Sequence, residues 1–288
     1  MGMKLTICVP VYNEAKAITG VLQDVRARFS EAQIIVVDDG STDGTQELLK
    51  SVAGIRVIQH ERNRGYGAAI KSALRQASGD YFAWFDGDGQ HRVEDLEKVI
   101  TTLVENDFDA CIGMRGGDSD FVWNRIAGKW LLRFAAEWIA GQSIPDLNSG
   151  LRCFRSSVLK RYVHLLPDGF SASTTSTMLM IKRQYRLKWV PITTRKRTGQ
   201  SSVRIIRDGF QGLALLIRIF VLFESFRFFF VLSAIQIIPA GIYGTWRAIT
   251  YRLGFPTFAA MVMISGILTF FIGIVCDQIT ALRKERFE

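Results

Sequence analysis

The sequence predicts an α/β catalytic domain on a mostly parallel sheet, followed by an amphipathic surface helix and two membrane-spanning helices. Three observations carry this prediction. Short apolar runs alternate with helical segments over residues 4–113, the pattern of repeated strand–helix units. Acidic clusters follow two of those runs, at Asp38-Asp39 and Asp86–Asp88, where open α/β sheets bind ligands. Two long uncharged segments lie near the end of the chain, each long enough to cross a bilayer.

Residues 4–11 are an apolar run and read as the first strand. Residues 15–29 set Ile18, Val21, Leu22, Val25 and Phe29 on one helical face. Residues 33–38 are rich in β-branched side chains, as in a strand covered on both faces. Helices are expected at 43–51, 66–77 and 93–105, and strands at 55–58, 81–85 and 109–113. The character changes near Gly199. Over residues 203–220, Arg204, Arg207 and Arg218 alternate with Ile205, Ile206, Phe210, Leu213, Leu216 and Ile217, a basic amphipathic helix for a membrane surface. No charge occurs in residues 228–246, which as a helix reach about 28 Å, close to the hydrocarbon thickness. Pro239 and Gly241 can bend that helix without breaking it. Residues 253–276 are a second uncharged segment. The expected division is therefore a catalytic domain at 1–202, a juxtamembrane helix at 203–225 and a two-helix membrane region at 226–288.

Two spans return the chain to its starting side. The basic tail Arg283-Lys284-Glu285-Arg286, with Arg218 and Arg227, outweighs Arg247 and Arg252 between the spans. The catalytic domain is thus expected on the cytoplasmic face of the inner or plasma membrane. No signal peptide is expected, because patterned sequence starts at residue 4. Lys plus Arg less Asp plus Glu is 36 − 27, a net charge of +9, which points to anionic partners without choosing among them. Its basic residues flank membrane segments instead of a recognition motif, which excludes nucleic acid. The four cysteines, Cys8, Cys111, Cys153 and Cys276, lack zinc-site or disulfide spacing and read as buried thiols.

Asp86-Gly87-Asp88-Gly89-Gln90-His91 alternates oxygen ligands at a strand exit. Hard cations such as Mg²⁺ or Mn²⁺ take such ligands and leave positions open for phosphates. An EF-hand is excluded, since His91 stands where that loop requires glycine. Gly65-Tyr66-Gly67-Ala68 lacks the third glycine of a dinucleotide fingerprint, with Ile70 in its place. It reads as a loop approaching a nucleotide. Arg115, Arg125 and Lys129 form a basic series suited to phosphate oxygens. His60, His91 and His164 read as isolated and support no histidine triad. The aromatic residues of 121–138 read as core or interfacial surface.

Five separated motifs agree with one family. They are Val9-Pro10-Val11-Tyr12-Asn13-Glu14, Val36-Val37-Asp38-Asp39-Gly40-Ser41-Thr42-Asp43, Asn63-Arg64-Gly65-Tyr66-Gly67-Ala68, Gly113-Met114-Arg115 and Asn148-Ser149-Gly150-Leu151-Arg152. In order and spacing the chain resembles glycosyltransferase family 2, which has the GT-A fold. Within it, the resemblance is to the branch that moves a sugar onto a polyprenyl phosphate, as GtrB-type enzymes and dolichyl-phosphate mannose synthase do. The resemblance spans residues 4–202.

The resemblance implies an inverting transfer of a hexose from a nucleotide sugar to undecaprenyl or dolichyl phosphate. UDP-glucose is favoured over GDP-mannose and UDP-N-acetylhexosamine. It implies Asp86, Asp88 and Gln90 as ligands of Mg²⁺ or Mn²⁺. Donor contacts fall on Pro10, Tyr12, Glu14, Asp39 (the nucleobase), Gly67, Asp86, Gly87 and Asp88. Arg195, Arg197 and Ser201 lie on a basic loop that closes over the diphosphate. Acceptor phosphate contacts fall on Arg115, Arg125 and Lys129. The reacting centre is assigned to Asp146, Asp88, Arg115 and Arg125, with Asp146 either a base or an orienting group. A homo-oligomer, by resemblance a tetramer, is also implied. The alternatives are a membrane-anchored family 2 enzyme with a saccharide acceptor, and a non-catalytic nucleotide-sugar-binding protein.

Overall fold

The structure is a computed structural model and describes residues 4–116, 126–169, 171–195, 217, 220, 221, 223–252 and 254–285. The chain divides into two units, Met1–Ile205 and Ile206–Glu288.

The first unit is a seven-stranded sheet in the order β3-β2-β1-β4-β6-β5-β7. The strands are β1 (Leu5–Val11), β2 (Gln33–Asp38), β3 (Arg56–Gln59), β4 (Tyr81–Trp84), β5 (Ala110–Arg115), β6 (Arg152–Arg155) and β7 (Leu187–Ile192). All neighbours run parallel except β6, which is antiparallel to both β4 and β5. This is the mixed, mostly parallel sheet of the GT-A class. The helices are α1 (Ile18–Arg28), α2 (Thr45–Lys50), α3 (Tyr66–Gln76), α4 (Val93–Glu105), α5 (Ile126–Ala140), α6 (Ser156–Arg161) and α7 (Ala172–Lys182).

One apolar core joins α1, α2 and α4 to a single sheet face. It gathers Ile18, Leu22 and Val25 of α1 and Leu96, Val99 and Leu103 of α4 around Ile7, Val9, Val36, Ala83 and Cys111. Each fully buried aliphatic side chain contributes about 1.5–3 kcal/mol. The buried face of α3, Ala69, Ile70, Ala73 and Leu74, closes the structure near β1 and β2. β7 lies at the sheet edge, where Pro191 removes no needed ladder donor.

Helix α1 begins three residues later than its periodicity predicts. The backbone N–H of Ala15 donates to Asp43 Oδ2 at 3.1 Å, and those of Ala17 and Ile18 both donate to Glu14 O at 3.0 Å. Ala15 is thus held by the neighbouring loop, and the chain makes a turn on Glu14 O before the helix starts. β6 and β7 were not expected from sequence.

The second unit is a helical hairpin of α8 (Ser225–Tyr251) and α9 (Thr257–Glu285). Both are long and apolar enough to cross a membrane, by length and composition. α8 contains the expected span 228–246 and runs through Pro239, whereas α9 begins four residues after the start of the expected span 253–276 and continues past its end. A Cβ at Gly273 would strike Phe229, so a glycine there permits the close helix approach. Gln236 links the helices by accepting from Ser265 Oγ at 3.0 Å and donating to Thr269 Oγ1 at 3.4 Å. Large apolar side chains such as Ile242 (66% exposed) and Phe258 (74%) face outward. The expected juxtamembrane helix at 203–225 lies outside the described residues, apart from positions at its end.

Candidate active site

The strand order reverses direction beside β1. β2 and β3 extend to one side, while β4 lies on the other. The loops leaving β1, β2 and β4 therefore meet at one edge, the crevice at which such sheets bind ligands.

The β1 and β2 exits are stitched together. Asn13 N–H donates to Ser41 Oγ at 2.9 Å, and Thr42 N–H donates to Asn13 Oδ1 at 2.7 Å. Asn13 takes φ 57° to do so, a conformation that Asn tolerates better than most residues. Asp43 Oδ1 accepts the Thr45 N–H at 3.1 Å and so secures the start of α2. Pro10 is buried within β1, Tyr12 is 43% exposed at its exit, and Glu14 is half-buried.

Asp39 is buried, and its carboxylate is heavily engaged. It accepts the Arg64 and Gly65 N–H groups at 2.9 and 2.7 Å, and His60 Nδ1 lies 2.6 Å from Oδ1. His60 Nε2 lies 2.9 Å from Ser72 Oγ. This corrects the reading of His60 as isolated, because long-range packing joins it to Asp39 and to α3. The order Asp–His–Ser resembles a hydrolase relay, but the same carboxylate also holds the loop amides of Arg64 and Gly65. Asp39 thus anchors the loop leading into α3, with about one of its four acceptor positions left for a base. Gly67, on the first turn of α3, lies against Pro167 O.

At the β4 exit, Gly87 packs against Val11 and turns the chain through Asp86 and Asp88. Asp88 Oδ1 accepts the Gln90 N–H at 3.0 Å. Asp86 Oδ1 accepts the Tyr66 hydroxyl at 2.7 Å. Burial first, and then neighbouring Asp88, raise the Asp86 carboxyl to about 7, against the opposing Tyr66 hydrogen bond and the charges of Arg152 and Arg115. Gly150 lies so close to this carboxylate that a Cβ there would collide with it.

Asp146 and Arg115 face each other on the same edge. Arg115 Nε donates to Asp146 Oδ2 at 2.7 Å and Nη2 to Oδ1 at 2.9 Å. The Arg115 and Asn148 N–H groups also donate to this carboxylate, at 3.3 and 3.1 Å. Burial pushes the Asp146 carboxyl up, but these bonds and the Arg115 charge hold it below the usual carboxylate range. An ionised carboxylate with four donors around it orients its neighbours and is a poor proton acceptor.

The basic segment after β7 begins beside the acid loop. Arg195 N–H donates to Gln90 O at 2.8 Å, and His91 pairs with Thr194 as an isolated antiparallel bridge. Arg195 itself is exposed. Arg125, Arg197 and Ser201 lie outside the described residues, and so does the side chain of Lys129, whose backbone belongs to α5.

Among the described residues no three His, Cys, Asp or Glu side chains gather into a metal cage. The paired acids still fit a divalent cation, because Mg²⁺ is commonly held by one or two carboxylates with waters and substrate phosphates. The donor set is the observation behind that fit: Asp86 and Asp88 stand two residues apart at the β4 exit, both half-buried, with Gln90 held to Asp88 by its backbone N–H.

Sequence reasoning missed Tyr66 and Arg152 as site residues. Both lie inside quoted motifs, yet their partners are distant in sequence, so no local pattern marks them.

The chain resembles known proteins over both of its units. Residues 6–163 match the family described as glycosyl transferase family 2. Residues 226–282 match the GtrB C-terminal hairpin, coinciding with α8 and α9. The chain is 34% identical over 211 residues to glycosyltransferase AglJ of Haloferax volcanii, covering 70% of this chain and 67% of that protein. It is 30% identical over 216 residues to a UDP-N-acetylglucosamine–dolichyl-phosphate N-acetylglucosaminyltransferase of Methanococcus voltae, covering 65% and 84%. Glucosyl-3-phosphoglycerate synthase of Mycobacterium tuberculosis, solved with Mn²⁺, UDP-glucose and phosphoglyceric acid, shares the fold at a TM-score of 0.60 and 18% identity, covering 76% of this chain and 80% of its own.

Proposed function

This chain belongs to glycosyl transferase family 2, and from that premise we propose that it transfers a hexose from a nucleotide sugar to a polyprenyl phosphate. The observation that carries this reading is the joining, in one chain, of an acid pair at the β4 exit to a helix pair with an apolar outward face. The first suits a diphosphate donor and the second an acceptor confined to a membrane. The Methanococcus voltae relative, whose name specifies a dolichyl-phosphate acceptor, supports the same acceptor class.

In this reading Asp86 and Asp88, with Gln90, hold Mg²⁺ or Mn²⁺, which when bound neutralises the departing nucleoside diphosphate as a Lewis acid. Tyr66 fixes the Asp86 carboxylate through its hydroxyl. Pro10, Tyr12, Glu14, Asp39, Gly67 and Gly87 line the nucleotide side. Arg195, with Arg197 and Ser201, closes over the diphosphate. Arg115 presents its guanidinium to the acceptor phosphate, joined by Arg125 and Lys129, and Asp146 keeps Arg115 in place. A phosphate monoester has a second pKa of about 6, so the acceptor is already anionic and needs no general base. A single in-line attack then inverts the anomeric centre. The same proposal puts the catalytic domain, residues 1–202, on the cytoplasmic side of the membrane, supported by the arginines flanking the hairpin. It also includes a homo-oligomer associated through the hairpin.

The test uses purified full-length protein, Mn²⁺, short-chain polyprenyl phosphate and a donor panel led by UDP-glucose, with GDP-mannose and UDP-N-acetylhexosamines. Nucleotide release that requires the lipid phosphate, with sugar recovered on the lipid, is the expected result. Release that is indifferent to the lipid but dependent on a saccharide refutes the acceptor assignment.

A further inference from the structure

Arg152 is fully buried at the start of β6, and every hydrogen bond the structure gives its guanidinium goes to a neutral acceptor. Nε donates to Ser149 O at 2.7 Å and Nη2 to Leu147 O at 3.0 Å. Nη1 reaches Ser173 O at 2.8 Å, Ser176 Oγ at 3.1 Å and Thr177 Oγ1 at 2.6 Å. The guanidinium also lies over the Trp84 ring, 5.6 Å from its centroid.

A buried cation without a carboxylate partner is costly. Its pattern of bonds indicates what the charge accomplishes. Two donors grip the turn at 147–149, and a third grips the first part of α7, between Ser173 and Thr177. That turn connects Asp146, which faces Arg115, to Gly150, which abuts Asp86. Thr174 Oγ1 of α7 also donates to Asn148 Oδ1 at 2.8 Å, but among the described residues Arg152 alone places three donor nitrogens at this junction, two on the turn and one on the helix. Asp86 and Asp146 both sense its charge, and burial pulls the guanidinium down to about 10.

We propose that Arg152 is the positioning residue of the transfer site, its guanidinium tying the 147–149 turn to α7 so that Gly150 stays against Asp86 and Asp146 stays opposite Arg115. Only the kinetic part of its test rests on the function proposed above. Lysine keeps the charge but lacks a planar fork of five donors. Methionine keeps comparable bulk without charge.

The experiment compares Arg152→Lys, Arg152→Met and the pair Ser176→Ala with Thr177→Val, each in the full-length protein. Circular dichroism and thermal melting report the fold, and amide hydrogen exchange reports the peptide covering 146–151. Transfer kinetics give kcat and donor KM separately. The expected result is at least tenfold faster exchange at 146–151 in both Arg152 variants. With it come a kcat loss of thirtyfold or more and a donor KM within threefold of wild type. The Ser176/Thr177 pair shows the same pattern with a kcat loss of about threefold to tenfold. If Arg152→Met fails to fold, that pair and Arg152→Lys decide. Unchanged exchange at 146–151 overturns the proposal, as does full turnover in Arg152→Lys, or a lowered melting temperature with kcat intact. If wild-type protein transfers nothing to lipid phosphate, the functional reading falls, while the exchange measurement still decides the role of Arg152.

Discussion

Gly150→Ala isolates the geometry of the acid pair. The backbone at Gly150 is not among those with positive φ, so alanine brings no conformational strain. What it brings is a methyl group inside contact distance of both Asp86 carboxylate oxygens. Either the carboxylate withdraws by roughly 1–1.5 Å to reach van der Waals contact or the 147–150 turn lifts by the same amount. Overpacking of this kind costs about 1–3 kcal/mol in stability, whereas a misplacement of about 1 Å at a reacting centre costs about 10²-fold in rate. Catalysis is thus expected to fall far more than stability. The assay is lipid-dependent nucleotide release at saturating donor, beside a melting curve in the same detergent. Gly20→Ala is the control, since nothing lies within 4 Å of a Cβ there. A Gly150→Ala enzyme with kcat within threefold of wild type would refute the claim that Asp86 must sit where the structure puts it.

Asp146→Asn is expected to lower kcat by about 100-fold or more, because one amide oxygen cannot replace a carboxylate around Arg115. The same variant tests pH. Against the upward push of burial, the Arg115 hydrogen bonds and charge hold the folded carboxyl below the ordinary aspartate range, so the stability it supplies is complete above that range and is lost as pH falls through the depressed value. The melting-temperature gap between wild type and Asp146→Asn should hold from pH 8 to 5 and close under acid; a gap independent of pH contradicts this. Tyr66→Phe removes the 2.7 Å bond to Asp86, and a hydrogen bond to a charged group, at about 1.5–3 kcal/mol, sets an expected loss of about 10- to 100-fold in turnover. Excess chelator should abolish transfer, and added Mn²⁺ or Mg²⁺ should restore it in wild type but not in Asp88→Ala. Full activity in chelator counts against the assignment of the acid pair.

The nucleotide half of the fold was legible because its signals are local. β1, β2 and β4 are continuous apolar runs, and α4 begins and ends at the residues its periodicity indicates. The acid motif was readable because its oxygen-bearing side chains are adjacent in sequence. β6 was not legible. It is four residues long and starts and ends with arginine, so it carries no strand pattern, and its place is fixed by pairing with β4 and β5. The burial of Arg152 is likewise invisible to any rule that places arginine at the surface. The link of His60 to Asp39 and Ser72 spans three elements and becomes evident only after packing. Asp146 stood out in the sequence as a candidate, but its four donors, which come from Arg115 and from its own loop, could not be read there, and they favour an orienting group over a base.

The reversal of β6 has a consequence for how the protein could diversify. In an all-parallel sheet only chain segments leaving strands reach the ligand edge. One strand running backwards lets a segment entering a strand arrive there too. On the proposed function, donor contacts then fall at the exits of β1, β2 and β4, and acceptor contacts in the stretch between β5 and β6. The two regions meet where Gly150 abuts Asp86, so a change of acceptor that spares this one contact leaves the acid pair undisturbed.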